Sequence, residues 1–159
     1  MSPSEISSKE PFPKFSGTYA LILSLPGTQF IRVGKLGQFE FPAGYYVYVG
    51  SAFGAGGLAG RLNRHVRLVQ DVSGRKRLHW HIDYLRQHSE LMGIWYAGHD
   101  SSHEHIWALL VSQLPGATVP VPWFGASDCR CLSHLFHFPI LPDWVAFNQL
   151  VQTAFLADL

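Results

Sequence analysis

At 159 residues, with 47% hydrophobic and 14% charged residues, the chain is long enough to bury its own core and too apolar to be disordered. No apolar run reaches the roughly 20 residues of a membrane span, and Met1 to Phe15 lacks the basic start and apolar stretch of a secretory signal. The net charge of +1 conceals an asymmetry. Between Arg61 and Arg77 six bases (Arg61, Arg64, Arg67, Arg75, Lys76, Arg77) face one acid, Asp71, so that segment carries +5 and the remainder −4. A local basic patch of this kind binds polyanions even when the whole molecule is near neutral. A solvated helix face followed by a basic loop would have the same composition. The two cysteines, Cys129 and Cys131, are too close for a normal structural disulfide and outside any disulfide framework, so the chain reads as cytoplasmic.

Residues 1–15, rich in Ser, Pro, Glu and Lys, read as a flexible leader, and 16–159 as a single α+β domain. Tyr19 to Leu25, Phe30 to Val33, Gln38 to Phe41 and Tyr45 to Val49 are aromatic and β-branched runs broken by Pro26-Gly27-Thr28 and Pro42-Ala43-Gly44. They predict a meander of about four antiparallel strands. Gly50 to Gly57 is a glycine-rich loop. Leu58, Leu62, Val66 and Val69 then recur at helical spacing and predict a helix from Leu58 to Val69. Asp71 to Arg77 is a basic loop, Trp80 to Arg86 leans helical, and Leu91 to Ala97 reads as a strand. Ser101-x-x-Glu104 is a capping box that opens a helix carrying Ile106, Leu109, Leu110 and Leu114. A Pro/Gly-rich loop from Pro115 to Ser127, a strand from Leu132 to Phe138 and a helix from Asp143 to Leu156 complete the chain.

Gly17-Thr-Tyr19, Tyr48-Val-Gly50, the glycine loop and a helical Arg61 form an ordered series. It extends through Gly44 to Ala52, Arg61-Leu-Asn-Arg-His65, Trp80 to Leu85 and Ser127-Asp-Cys-Arg-Cys131. This series resembles the GIY-YIG nuclease superfamily, and in particular a branch with an extra hairpin between the two tripeptides. The resemblance covers nearly everything from Gly17 to Phe138. It implies an α+β fold with a small, mainly antiparallel sheet flanked by helices and an added hairpin, and a metal-dependent endonuclease acting on DNA phosphodiesters, with a place in DNA repair or processing. The other reading is a nucleic-acid-binding module that keeps the fold but cleaves little.

Cleaving a phosphodiester requires an aligned water, stabilisation of charge on the phosphoryl oxygens and help for the leaving oxygen. One carboxylate holding Mg²⁺ or Mn²⁺ supplies the last. The resemblance assigns that role to Glu104, the acid near the start of the helix after the strand at Leu91, although a capping box explains a glutamate there as well. Arg61 would donate its planar fork to the phosphoryl oxygens. Tyr48 would hold or deprotonate the water with Tyr19 beside it, and Arg61, Lys35 and the metal are candidate cations for a phenolate. Packing in an aromatic sheet is the alternative for both tyrosines. His65, four residues after Arg61, shares its helix face and would shuttle a proton or bind phosphate; a solvated surface histidine is the plainer reading. Lys35, Arg64, Arg67, Arg75, Lys76 and Arg77 are the candidate DNA contacts.

Two further clusters compete. Cys129-x-Cys131-x2-His134-x2-His137 offers four zinc-type ligands at an unusually compact spacing, with buried thiols in a turn beside Asp128 as the alternative. His79-x-His81-x-Asp83 would line up three ligands on one face of a strand, and diverges if the segment is helical. The glycine loop lacks the Gly-Lys-Ser/Thr end of a P-loop. Nothing in the sequence speaks to oligomeric state.

Overall fold

The chain forms β1 (Ser4–Ile6), β2 (Gly17–Leu25), β3 (Gln29–Val33), a 3-10 turn (Gly34–Leu36), β4 (Gly37–Phe41), β5 (Gly44–Ala52), α1 (Gly57–Leu68), α2 (His81–Arg86), β6 (Glu90–Gly98), α3 (Glu104–Ser112), β7 (Leu135–Phe138) and α4 (Trp144–Leu156). The structure, a computed structural model, describes residues 3–6, 11–68, 78–126 and 129–157. Five strands make one antiparallel sheet in the order β1-β6-β2-β5-β7. The α+β expectation holds: a mainly antiparallel sheet with helices packed on it.

The front half is not a four-strand meander. β2 pairs directly with β5, setting Tyr19 opposite Gly50 and Leu21 opposite Tyr48. β3 and β4 pair only with each other, as a separate two-stranded hairpin. The hairpin leaves and returns at the far ends of β2 and β5, so it does not separate the strands that carry the two tripeptides.

Side-chain alternation along the central strands divides the core in two. Tyr19, Leu21, Leu23, Tyr46 and Tyr48 face one side, against Leu58 and Leu62 of α1 and Ile82 and Leu85 of α2. Ala20, Ile22, Val47 and Val49 face the other, against Trp107 of α3 and Phe147 and Val151 of α4. β2 is buried almost throughout because both faces are covered. On the second face Trp95 stacks on Phe147 with ring centroids 4.7 Å apart, and Trp107 is wholly buried. Truncating a side chain of that size to Ala costs about 3–5 kcal/mol. Asp143 caps α4 by accepting from the backbone of Val145 and Ala146.

Several sequence expectations change. Ser4–Ile6, inside the expected leader, pairs with Ile94–Tyr96 on β6. Trp80 to Arg86 is helical from His81, as the sequence leaned, so the competing three-ligand strand face is absent. The expected strand from Leu132 begins only at Leu135. Helix α1 is described to Leu68, and Val69 lies outside the described residues. Among the described residues no helix is long and apolar enough to cross a membrane.

Candidate functional site

A polar cavity of about 180 Å³ opens at the end of the sheet where β2 begins and β5 ends. Tyr19, Tyr48, Gly50 and Ser51 line it from the strands, Arg61 from α1, Trp80 from the turn before α2, and Glu104 from the start of α3. The sheet thus brings Tyr19, Tyr48, Arg61 and Glu104 together, although the first and last are 85 positions apart in sequence. Glycine makes the approach possible. A Cβ at Gly50 would lie 2.6 Å from the Tyr19 ring. Gly125, at φ +69°, presses on Tyr48, where a Cβ would meet the ring at 3.1 Å.

Tyr19 is buried, and its hydroxyl stands 2.8 Å from His65 Nε2. His65 belongs to the buried stripe of α1: Leu58, Leu62 and His65 follow i, i+4, i+7. It is fully buried, does not line the cavity, and so lies behind Tyr19, unable to meet a phosphate directly. Burial, reinforced by Arg86, Arg64 and Arg61 against the opposing pull of Asp83, lowers its pKa to about 3, so the ring is neutral at neutral pH. Nδ1 has no partner.

Tyr48 keeps only its edge open to the cavity, and among the described residues its hydroxyl has no protein partner. Burial raises both phenols above their ordinary value, and Glu104 raises them further while Arg61 opposes. Each is a neutral phenol, and a base only if a cation in the cavity offsets that shift.

Arg61 lies over Trp80, its guanidinium carbon 4.3 Å from the ring centroid. No carboxylate among the described residues pairs with it. Arg64 lies over the same ring at 4.5 Å but is ion-paired with Asp83 at 2.6 Å. Asp83 also accepts from the backbone of His79 and Trp80. It is therefore the organiser of this corner rather than a metal ligand, and Arg64 is engaged. His81 is likewise occupied, accepting from Gly125 N at 2.9 Å. Arg67 is exposed on α1, and Lys35 is exposed at the hairpin tip, away from the cavity lining. Arg75, Lys76, Arg77 and Asp128 lie outside the described residues.

Glu104 does not form the expected capping box. Its backbone N–H donates to Ser102 Oγ at 3.4 Å, while its carboxylate turns inward: Oε2 accepts from Ser51 Oγ at 3.0 Å, and Oε1 lies 2.9 Å from His134 Nδ1. His134 Nδ1 is the ring atom that faces the carboxylate. Burial would raise the carboxyl, but His134 and Ser51 outweigh it and hold Glu104 below its ordinary value. An ionised carboxylate on a cavity with room for several waters, with lone pairs to spare beyond its two contacts, fits a hard cation that keeps most of its waters.

Beside this cavity the described residues contain one cluster of metal-type donors: His105, Cys129, Cys131 and His134, whose ligand atoms all lie within 4.8 Å of one another. It could hold a metal ion, and it is rich in cysteine rather than acid. His137, read as its fourth member, instead hydrogen-bonds Ala43 O at 3.0 Å. Three residues apart at a strand, His134 and His137 point to opposite faces. His105 was missed because it is distant in sequence and on another element.

Fold and site define a small α+β protein with a polar cavity of two tyrosines, an arginine and a glutamate, next to a His/Cys cluster. The chain belongs to the family described as domain of unknown function DUF123, whose model matches residues 18–155. No curated protein and no solved structure matches it significantly.

Proposed function

We propose that this cavity hydrolyses phosphodiester bonds in DNA with the help of Mg²⁺ or Mn²⁺, as in the GIY-YIG nuclease superfamily that the sequence resembles. The observation that carries the reading is the convergence of Tyr19, Tyr48, Arg61 and Glu104 on one cavity. Glu104 would hold the cation, which when bound draws charge from the leaving oxygen and polarises the phosphate.

The chain's own residues do the rest. Arg61, over Trp80 and without a carboxylate partner among the described residues, donates to the non-bridging oxygens. Tyr48, its hydroxyl free of protein partners among the described residues, orients the attacking water in line with the scissile bond. Tyr19 is fixed by His65 and packs against Gly50, so it shapes the wall beside Tyr48. His65 acts through Tyr19 and is a positioning residue. Arg67 supplies an exposed charge for the backbone of the nucleic acid. Both cysteines are free thiols, the state a reducing compartment maintains, and the reading places the protein in the cytoplasm.

The alternative, a binding module that does not cleave, is weakened by the inward turn of Glu104, because a carboxylate aimed into a phosphate site repels DNA unless a cation lies between them. Incubation of the protein with labelled duplex, branched and nicked DNA tests the reading: nicking that requires Mg²⁺ is expected, and its absence on every substrate would leave only binding.

A further inference from the structure

The four donors beside the cavity come from three places: His105 from the first turn of α3, Cys129 and Cys131 from the loop before β7, and His134 from the residue preceding that strand. His105 Nδ1 stands 3.0 Å from Cys131 Sγ, and His134 Nε2 stands 3.3 Å from Cys129 Sγ. A tetrahedron with the arms of Zn²⁺, about 2.0 Å to nitrogen and about 2.3 Å to sulfur, has edges of about 3.3–3.8 Å. These two pairs are on that scale, and all four donor atoms lie within 4.8 Å of one another. The Cys131 backbone N–H donates to Cys129 Sγ at 3.3 Å, which holds that sulfur in the turn.

The donor set chooses the metal. Two sulfurs and two imidazole nitrogens suit Zn²⁺ and repel the hard cations that carboxylates hold. Four protein ligands leave no open position, so the site is structural. It also clamps segments distant in sequence, since His105 is 24 residues ahead of Cys129. His134 presents Nε2 to the sulfurs and Nδ1 to Glu104 Oε1 at 2.9 Å. This is the carboxylate–histidine–metal order in which an outer carboxylate fixes the tautomer and orientation of a ligating ring.

We infer that His105, Cys129, Cys131 and His134 bind one structural Zn²⁺, and that this zinc, through His134, fixes the carboxylate of Glu104 at the cavity. The zinc site ties α3 to the end of the sheet, and Glu104 is next to one ligand in sequence and against another in space. The assignment stands without the hydrolytic reading, since zinc content is measured with no substrate present.

The test uses the untagged full chain expressed with zinc and dialysed free of loose metal, with Zn, Fe, Cu and Ni measured by elemental analysis. One equivalent of zinc is expected in the wild type and in His137→Asn, and its loss in the double variant Cys129→Ser/Cys131→Ser. Wild-type protein without zinc, with another metal in its place, or a double variant that keeps its zinc overturns the site. If the double variant does not fold, Co²⁺ exchange into the wild type decides: thiolate-to-cobalt charge transfer with tetrahedral d–d bands is expected, and an octahedral spectrum without charge transfer overturns the site. Glu104→Gln should bind zinc about 10- to 100-fold more weakly in chelator competition. Unchanged zinc affinity in that variant overturns the link between zinc and Glu104.

Discussion

Glu104 Oε1 stands 2.9 Å from His134 Nδ1, joining the carboxylate of the cavity to the histidine of the His/Cys cluster. The cavity and the cluster are thus neighbours that share a wall. A second contact, from Ser51 Oγ on β5 to the other carboxylate oxygen, fixes Glu104 to the sheet as well as to the cluster.

Arg61→Lys should lower DNA cleavage by about 100- to 1,000-fold, the usual loss of one donor to a developing charge. The charge survives the substitution, but the planar fork and its stacking on Trp80 do not. Trp80→Ala should act in the same direction with a smaller loss, because Arg61 keeps its fork and loses only its platform. Steady-state nicking rates at saturating DNA check both.

The two tyrosines should separate by what each hydroxyl touches. Tyr48→Phe removes a hydroxyl that has no partner among the described residues, so cleavage should fall by about 100-fold or more with little change in melting temperature. Tyr19→Phe strands the buried His65 Nε2 at 2.8 Å, beside an Nδ1 already without a partner. That should destabilise the fold by about 1–3 kcal/mol. Paired thermal melts and nicking assays read the difference.

Acid should unfold the protein through His65. Its folded-state pKa is lowered to about 3 by burial, below the ordinary value of about 6.5 in the unfolded chain. The unfolded chain therefore binds the extra proton. Stability is full above about pH 6.5 and declines as the pH falls toward 3, by up to about 1.4 kcal/mol per unit. Between pH 7.5 and 5.0 this single group should remove about 2 kcal/mol. His99, lowered by burial to about 4, adds to the same trend. Denaturant midpoints of wild type and His65→Gln at both pH values isolate the His65 share: the variant should show the shallower loss.

Much of this was legible in the sequence, and the failures have physical causes. The strand segments, α1 and α4 carried strong patterns of period 2 or 3.6, and their bounds moved by a few residues only. Strand partnership is a long-range property, so the sequence could not tell a continuing meander from a hairpin that leaves the sheet and returns. His65 was read from its spacing to Arg61, yet its spacing to Leu58 and Leu62 is the one that packing obeys. Ser101-x-x-Glu104 satisfied the capping pattern, but Ser51 and His134 compete for the carboxylate and only the folded chain brings them near. Cys129 and Cys131 were visible as ligands, whereas His105 joins them only after α3 docks on the sheet.

The most direct measurement compares nicking of labelled DNA by dialysed wild type with Mg²⁺ supplied and withheld, alongside Glu104→Ala. Withholding Mg²⁺ rather than adding a chelator leaves the His/Cys cluster undisturbed. Nicking that appears only with Mg²⁺ or Mn²⁺, and is lost in Glu104→Ala, is the predicted result. Robust cleavage by Glu104→Ala, or equal cleavage with the divalent cation withheld, would contradict the assignment of Glu104 as the residue that holds it.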